Sequence, residues 1–331
     1  MTRGANRAGL LALAVAGVAA IIALPHMVEL FTLVDLAVFC ILAILALSLA
    51  FVWSFGGILS FGQSAFFGLG GYAYALAIGN LGESSIPFML GIAVPTLFAI
   101  LLGYFMFYGR ISDVYLAVIT LTVSLIFYLL INSTSGSEYT IGRARLGGHN
   151  GIPGIAPINV PGNPAAQLDH AETFQVSLAA LLLAYFGLRA VLASQFGRVL
   201  VAIRENELRA ELLGYDARRY KLAAFTLGAG IAGLAGVLFA SWGSFIGPSV
   251  FGIGFAAQII IWIMVGGLGT LGGAVIGTVL IQYLATWLGQ TKIADVNLVL
   301  GAVFIVFVLL VPSGVLPTLQ RLLRGRRGVA P

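Results

Sequence analysis

Few residues in this sequence could do chemistry, and the best placed of them lie between Ser60 and Ser64. Gln63 stands there beside serines, within a stretch of small and apolar residues. An amide donates and accepts hydrogen bonds without carrying a charge, and a hydroxyl does so on a smaller scale. The grouping therefore predicts hydrogen bonding to a small polar molecule. Weaker candidates are Thr120, Ser124 and Gln258, since a Ser or Thr in a helix often bonds to its own backbone.

Charge is concentrated in a second region, from Arg198 to Lys221. Ten of the 29 charged residues of the chain lie within these 24 positions. Long apolar runs precede and follow the region, so it must face water, and its basic excess is typical of a cytoplasmic segment. A structured helix of mixed charge in such a place predicts a docking surface.

Motifs of the common enzyme classes are missing from the sequence. No GxxxxGK[ST] loop occurs, so the chain is not expected to bind and hydrolyse ATP itself, and GxSxG and HExxH are missing too. His26, His149 and His170 lack the spacing of metal ligands. Cys40 is the single cysteine and predicts no disulfide. We expect no catalytic residue, no metal and no cofactor.

Composition places these residues in a membrane protein. Hydrophobic residues make up 60% of the chain and charged residues 9%, with a mean hydropathy of +1.04. A spanning helix needs about 20 mostly apolar residues. The sequence predicts an all-α, polytopic protein with one transmembrane domain over 1–331. The ten predicted spans are Ala8–Leu24, Leu30–Trp53, Ser64–Asn80, Pro87–Tyr108, Val114–Ile131, Phe174–Leu192, Leu222–Ser241, Phe251–Val265, Leu271–Leu288 and Val296–Pro312.

The distribution of basic residues predicts the orientation. With ten spans, 14 of the 17 Lys and Arg residues fall on one face, which places both termini and a basic tail, 318–331, in the cytoplasm. The positive charge is then a feature of topology and not of nucleic-acid binding. The first run could also be a signal peptide, but its length favours a span. Ionisable residues are almost absent from the spans: Asp35 lies near the outer end of the second, and Arg110 and Asp113 lie at the start of the fifth. All three can reach the membrane surface, so energy for transport is expected from elsewhere.

Two glycine-rich stretches interrupt the helical pattern, at 56–72 and at 266–274. At an offset of 210 they match glycine for glycine at three positions, with Ser60 opposite Thr270. Paired interruptions of this kind are typical of a translocation pathway, although close helix packing through small residues explains them equally well. The predicted gating glycines are Gly56, Gly57, Gly266, Gly267 and Gly272. The predicted pathway residues are Ser60, Gly62, Gln63, Ser64, Thr120, Ser124 and Gln258.

The charged region, 194–221, predicts an amphipathic helix followed by a turn. Val201, Leu208 and Leu212 share one stripe at 3.6-residue periodicity, Gly214 stops the helix, and Asp216 can cap the next one. An ordinary solvated loop is the alternative. The predicted coupling residues are Arg204, Glu205, Glu207, Leu208, Glu211, Leu212 and Gly214. On the opposite face, the segment 132–172 is long and rich in glycine, which suits contact with an extracytoplasmic partner.

Three stretches together resemble the permease subunits of branched-chain amino acid ABC importers, in particular the second permease of those systems. They are 59–72 (LSFGQSAFFGLGGY), 115–121 with 147–153 (YLAVITL and GGHNGIP), and 202–225 (AIRENE, then LG and YKLAAF). Gln63 stands where the family commonly has His. The family also includes urea and short-chain amide permeases and importers of organic acids.

The resemblance implies a multi-pass permease in a bacterial inner membrane that lies among lipid and works with other subunits. These are a second homologous permease, two cytoplasmic ATPases that bind the ATP and dock at 198–214, and a periplasmic or lipid-anchored solute-binding protein. A branched-chain or other amino acid is the expected substrate, with urea, an amide or an organic acid as alternatives. A stand-alone secondary transporter, which would need an intramembrane carboxylate such as Asp35, is the alternative from another class. A membrane-embedded enzyme is disfavoured.

Overall fold

The computed structural model describes residues 3–136 and 138–291, together with 299, 301–302, 305 and 314–318. The α-helices of this part are α1 (Arg3–Met27), α2 (Leu30–Ala50), α3 (Gln63–Leu81), α4 (Ser85–Tyr108), α5 (Asp113–Ser133), α6 (His170–Ala193), α7 (Gln195–Glu205), α8 (Glu207–Leu212), α9 (Ala217–Gly243), α10 (Ile253–Gly266) and α11 (Leu271–Thr291). Short strands form two antiparallel pairs, β1 (Thr140–Ile141) with β2 (Ala144–Arg145), and β3 (Ile152–Pro153) with β4 (Phe245–Ile246).

Seven of the described helices are long and apolar enough to cross a membrane. The protein is therefore a helical, multi-pass membrane protein, as the sequence predicts. The predicted third and eighth spans correspond to α3, with 19 residues, and to α10, with only 14. The tenth predicted span and the basic tail lie almost entirely outside the described residues.

Helix α2 occupies the centre of the bundle. It contacts α6, α9, α10 and α11, and most of its side chains are buried within the protein. A helix that is apolar on every side can be buried in this way because it has no polar face to hydrate. By contrast, α1 packs mainly on α6, and none of its residues from 9 to 27 is buried. An exposed apolar helix of this kind suits a lipid-facing span.

Glycines allow α3, α4 and α9 to cross at close distance. A Cβ atom on Gly70 would lie 2.4 Å from the carbonyl oxygen of Gly233, and one on Gly236 would lie 2.0 Å from that of Phe67. Such small residues are what lets helix backbones approach within a membrane. The prediction that 56–72 is one long interruption is therefore wrong. Only 56–62 is non-helical, and Gly68, Gly70 and Gly71 pack inside α3.

The two ends of the bundle differ in chemistry. At one end, here called the α7 end, α7 and α8 lie beside the end of α2, the turn from α4 to α5 and the start of α9. At the other, the loop end, residues 134–169 contact the last turns of α3, α5 and α9. This segment is shorter than the predicted 132–172, because Asn132 and Ser133 continue α5 and His170 begins α6.

The loop segment is fixed to the helices by hydrogen bonds. Ser84 donates its backbone N–H to Asn159 Oδ1 at 2.8 Å, and Asn80 Oδ1 accepts the N–H of Arg143 at 2.7 Å. Pairing of β3 with β4 joins the segment to the chain that follows α9. Arg143 and Arg145 remain exposed, beside a cleft of about 480 Å³.

Candidate functional site: a polar cluster at the first helix break

The first helix break, residues 56–62, follows a turn of π-helix, Phe51–Phe55, in which α2 ends. Gly57 then adopts a left-handed conformation with φ of +72°, which favours glycine because a Cβ atom would be strained there. The N–H of Gly57 bonds to Trp53 O at 3.0 Å and that of Ile58 to Val52 O at 3.2 Å. The chain stays non-helical until Gln63 begins α3. Backbone groups released here need partners, because no lipid can supply them.

Hydroxyl groups of α5 and α3 supply several of those partners. Phe61 donates its N–H to Thr120 Oγ1 at 3.1 Å, and Phe61 O accepts bonds from Ser64 Oγ at 3.0 Å and Ser124 Oγ at 3.4 Å. Ser60 Oγ accepts the N–H of Gly62 at 3.1 Å. The structure thus brings together Ser60, Gly62, Ser64, Thr120 and Ser124. Some of their hydroxyl groups form hydrogen bonds with the backbone of the break.

Gln63 is the member of this cluster with unused hydrogen-bonding capacity. Its Oε1 accepts a bond of 3.2 Å from Ser48 Oγ on α2. Its Nε2 is buried without a protein partner and lies 3.5 Å from the position that a Cβ on Gly228 would take. Exchanging the two ends of the amide still leaves one atom unpaired, since Ser48 faces only one of them. An unpaired buried polar group costs about 1–3 kcal/mol, so the site can accept a further partner.

The cluster is closed in this conformation. Gln63 is 1% exposed, and Ser48, Ser60, Ser64, Thr120 and Ser124 are fully buried. Thr120 is seven residues from the first residue of α5, which places it about 10 Å along the helix from the α7 end. The polar groups therefore lie inside the bundle and nearer to the α7 end.

Gln258 lies apart from the other predicted pathway residues. It lines a cleft of about 650 Å³ between α5 and α10, with Tyr128 and Ser249 among the neighbouring polar side chains. The prediction that grouped Gln258 with Gln63 is not matched by the structure. The reason is that a short 3-10 helix, Pro248–Phe251, inserts Phe251 between α3 and α5, where its ring contacts those of Tyr72 and Phe127.

Arg204 of α7 reaches the first break directly. Its guanidinium donates a hydrogen bond to Ser54 O, in the π-helical turn, and also pairs with Glu205. A Cβ on Gly57 would lie only 2.8 Å from Arg204 Cγ, so glycine is required on steric as well as conformational grounds. A water-facing helix is thereby joined to the backbone of the first break through one side chain.

The sequence predicts one helix in the charged region before Gly214, but the structure has two, α7 and α8. Asn206 interrupts it and caps α8, with Oδ1 accepting the N–H of Arg209 at 2.9 Å. Asparagine favours such a cap because its side chain replaces the missing backbone partner. The predicted stripe is divided as a result. Val201 is half-buried on α7, whereas Leu208 and Leu212 are 68% and 81% exposed on α8.

Helix α8 ends at Gly214, as predicted. Gly214 has φ of +89°, its N–H bonds to Glu211 O at 2.9 Å, and the N–H of Tyr215 bonds to Ala210 O at 3.2 Å. This pair of bonds is the Schellman arrangement, which favours glycine at its left-handed position. Asp216 occupies the N-cap position of α9 but makes no capping bond, because its carboxylate pairs with Arg219 at 2.9 Å instead.

One ion pair fastens α8 to the membrane-spanning part. Lys221 Nζ of α9 lies 2.6 Å from Glu207 Oε2, and the lysine side chain is only 12% exposed. Glu205, Leu208 and Glu211 are exposed on the water-facing side. The predicted coupling residues therefore divide into Arg204 and Glu207, which hold the region in place, and others that present a free surface.

The second break, 267–270, has a similar backbone but different surroundings. Gly267 has φ of +115°, and Thr270 Oγ1 accepts the N–H of Gly273 at 3.2 Å. A Cβ on Gly266 would lie 1.9 Å from Gly273 O. Gly272, in contrast, has room for a Cβ, whose nearest neighbour would be Leu316 at 3.5 Å. Close packing of α10 on α11 is thus the evident use of Gly266.

A family model matches most of the chain and accounts for this combination. It is described as the permease component of the branched-chain amino acid transport system, and it covers residues 32–309. The chain belongs to this family of permease components. The match includes both breaks, the polar cluster and the α7–α8 region.

Curated relatives agree with that assignment. The permease is 28% identical to the high-affinity branched-chain amino acid transport system permease protein LivM of Escherichia coli, over 93% of this chain and 75% of LivM. It is 30% identical to LivH of the same organism over 44% of this chain and 51% of LivH. It is also 39% identical to the autoinducer 2 import system permease protein LsrC of Salmonella paratyphi B, over 28% of this chain and 27% of LsrC. No solved structure matches the permease.

Sequence reasoning missed two groups of the site. Ser48 lies in a long apolar run of α2, 15 residues before Gln63. A single hydroxyl at that distance forms no pattern in the sequence that would link the two residues. Ser54 contributes a backbone carbonyl, which no residue type reveals. Within the described part of the chain, no group of three His, Cys, Asp or Glu residues is placed to hold a metal.

Proposed function

We propose that the permease is the membrane subunit of an ATP-driven importer, and that motion of α7 and α8 opens the first break. Partner ATPases would bind the ATP and dock on the exposed face of α8, while Arg204 would transmit their movement to Ser54 and Gly57. The contact of Arg204 with the π-helical turn is the observation that carries this proposal. A short helical region of mixed charge joined to a helix break has the parts that such coupling needs.

The cleft beside Gln258 supports a second permease as a neighbour. It exposes Tyr128 and Ser249 between α5 and α10, and much of α5 is exposed, including Val114, Val118 and Leu129. A partner there would enclose a pathway between the two permeases, with Gln258 on its wall. LivM and LivH are both described as permease proteins of one named transport system, which agrees with a paired arrangement.

The loop end would receive a solute-binding protein, periplasmic or lipid-anchored, through the exposed Arg143 and Arg145. This orientation places α7, α8 and both termini in the cytoplasm of a bacterial inner membrane, following the excess of basic residues there. We propose ten spans in total, with α3, α10 and the tenth span of the sequence prediction, Val296–Pro312, added to the seven long ones.

A branched-chain amino acid is the proposed substrate. The family description and the name LivM both refer to branched-chain amino acids, and the polar cluster offers neutral hydrogen bonds of the kind such a solute needs. Urea, a short-chain amide or an organic acid stays an alternative, since LsrC shares a similar segment and is named for a different solute. Gln63 would contact the solute once the cluster opens.

The test is coupled transport by the assembled complex. The permease would be purified with its partner subunits, placed in liposomes and supplied with labelled leucine, with and without ATP. Arg204→Gln should leave the complex intact but reduce ATP-driven uptake about ten-fold, because a hydrogen bond to a charged group is worth about 1.5–3 kcal/mol. Arg198→Gln is the matched control, since the Arg198 side chain on the same helix bonds to Ala193 O and does not reach the break, and it should retain most of the uptake.

Two results would contradict the proposal. Uptake by the permease alone, without ATP and abolished by Asp35→Asn, would identify an ion-driven carrier. Full ATP-driven uptake in Arg204→Gln would show that coupling does not pass through the first break.

A further inference from the structure

A long apolar groove runs between α4 and α9 on the outer surface of the bundle. Its volume is about 750 Å³, and its walls include Ile92 and Ile100 of α4 and Leu222, Leu227 and Leu234 of α9. Gly230 leaves space at the base of the groove, since a Cβ at this position would lie 3.0 Å from Thr96 Oγ1. The groove faces outward, because Ile100 and Leu227 are 42% and 38% exposed.

The length of the groove matches one leaflet of a bilayer. Leu222 and Leu234 are twelve residues apart on α9, which corresponds to about 18 Å along the helix. Half of the hydrocarbon core measures about 15 Å. A fatty acyl chain that entered from the α7 end would therefore reach about the middle of the membrane when it filled the groove.

One end of the groove carries a cation and polar groups. Arg219, in the first turn of α9, lines this end, and its side chain is 77% exposed and paired with Asp216. Thr226, about two turns further along, also lines the groove, and its hydroxyl oxygen is buried within the protein without a protein partner. A basic side chain at the membrane surface above an apolar groove is the arrangement that binds an anionic lipid headgroup.

We propose that this groove is a binding site for an anionic phospholipid of the leaflet at the α7 end. The phosphate pairs with Arg219, and one acyl chain lies between α4 and α9. Asp216 competes with the phosphate for the guanidinium. The bound lipid adjoins the first turn of α9, where Lys221 holds α8 through Glu207, so its occupancy would stabilise the α8 region. The lipid site depends on the groove and its charge and not on the proposed transport function.

Native mass spectrometry of the purified complex can test the site, with phosphatidylglycerol and phosphatidylcholine of identical acyl chains as probes. Phosphatidylglycerol should bind about five-fold more tightly, because one basic residue at the surface contributes about that factor. Arg219→Gln should remove the preference, and Asp216→Asn should increase it. The opposite effects of two neighbouring substitutions are not expected from a general disturbance of α9.

The groove itself is tested by filling it. Ala223 is exposed and lines the groove, so Ala223→Phe should block the acyl chain and weaken binding of both lipids. Ala19→Phe, at an exposed position of α1, is the matched control and should change neither. A phosphatidylglycerol with a photoreactive acyl chain should label the peptide that contains residues 222–234.

Three outcomes would overturn the proposal. Equal binding of the two lipids, unchanged in Arg219→Gln, would indicate ordinary boundary lipid. Unchanged binding in Ala223→Phe would place the lipid elsewhere. Labelling of the isolated permease that disappears in the full complex would show that a partner subunit covers the groove. Transport activity enters none of these measurements, so failure here and failure of the importer proposal are separate results.

Discussion

The two helix breaks of this permease share a backbone pattern and differ in what surrounds it. In each, a helix ends, the second glycine takes a positive φ, +72° at Gly57 and +115° at Gly267, and a hydroxyl residue three positions later accepts a backbone N–H. The first break meets the guanidinium of Arg204 and a cluster of buried hydroxyls. The second meets the backbone of α11, so closely that Gly266 has no room for a side chain.

The difference teaches that the neighbours of a helix break, and not its backbone pattern, decide how firmly the break is packed. Close backbone contact between α10 and α11 fixes the second break, because any displacement loses packing on both helices. Side chains, and not closely packed backbones, hold the first break: Thr120 and Ser124 of α5 bond to it, and Arg204 connects it with the water-facing helices. The paired glycines therefore support two interpretations, packing and gating. The structure shows close packing for Gly266 at the second break, and gating at the first break stays a prediction.

The largest effect is expected from adding one carbon at the second break. Gly266→Ala would place a Cβ 1.9 Å from Gly273 O, which should destabilise the protein by about 3 kcal/mol and lower its yield in detergent. Gly272→Ala is the control. Its Cβ would meet only ordinary contacts, so its stability should stay within about 1 kcal/mol of wild type. Equal melting temperatures of Gly266→Ala and wild type would mean that α10 and α11 can separate.

A smaller loss of stability, but a loss of coupling, is expected at Gly57. Gly57→Ala strains a left-handed residue by about 1–2 kcal/mol and displaces Arg204, whose Cγ would lie 2.8 Å from the new atom. Gly82→Ala is a matched control, because Gly82 has the same φ of +72° and no neighbour within 4 Å. Both variants should lose similar stability in thermal unfolding, and only Gly57→Ala should lose ATP-driven uptake.

The end of α8 provides a test that does not touch the first break directly. Gly214→Val strains the left-handed turn without any clash, since nothing lies within 4 Å. We expect a stability loss of about 1–2 kcal/mol, confined to α8, and ATP hydrolysis that continues with less uptake per ATP. Gly214→Asn, which tolerates this conformation better, should largely restore the ratio. A normal ratio in Gly214→Val would exclude the end of α8 from coupling.

The membrane class, most of the long helices and the approximate position of both breaks could be predicted because these follow from local patterns. Apolar length predicts spans, and Gly214 predicts the end of α8 through its own conformation. Contacts between distant elements are not encoded in this way. The bond from Arg204 to Ser54 O and the separation of Gln258 from Gln63 depend on how helices pack, and Asn206 interrupts a stripe that periodicity alone reads as continuous.

The smallest change in stability, and the most direct test of a pathway at the first break, is expected for Gln63→Leu. The substitution loses one hydrogen bond from Ser48, worth about 1 kcal/mol, but also removes a buried atom that has no partner. These terms nearly cancel, so thermal unfolding should change little. If Gln63 contacts the solute, the uptake rate or the preference among amino acids should change while assembly with the ATPases does not.

Ser48→Ala keeps the amide and removes only its partner, so it should affect uptake less. Loss of assembly together with uptake in Gln63→Leu would instead assign Gln63 to packing, and the first break would then resemble the second.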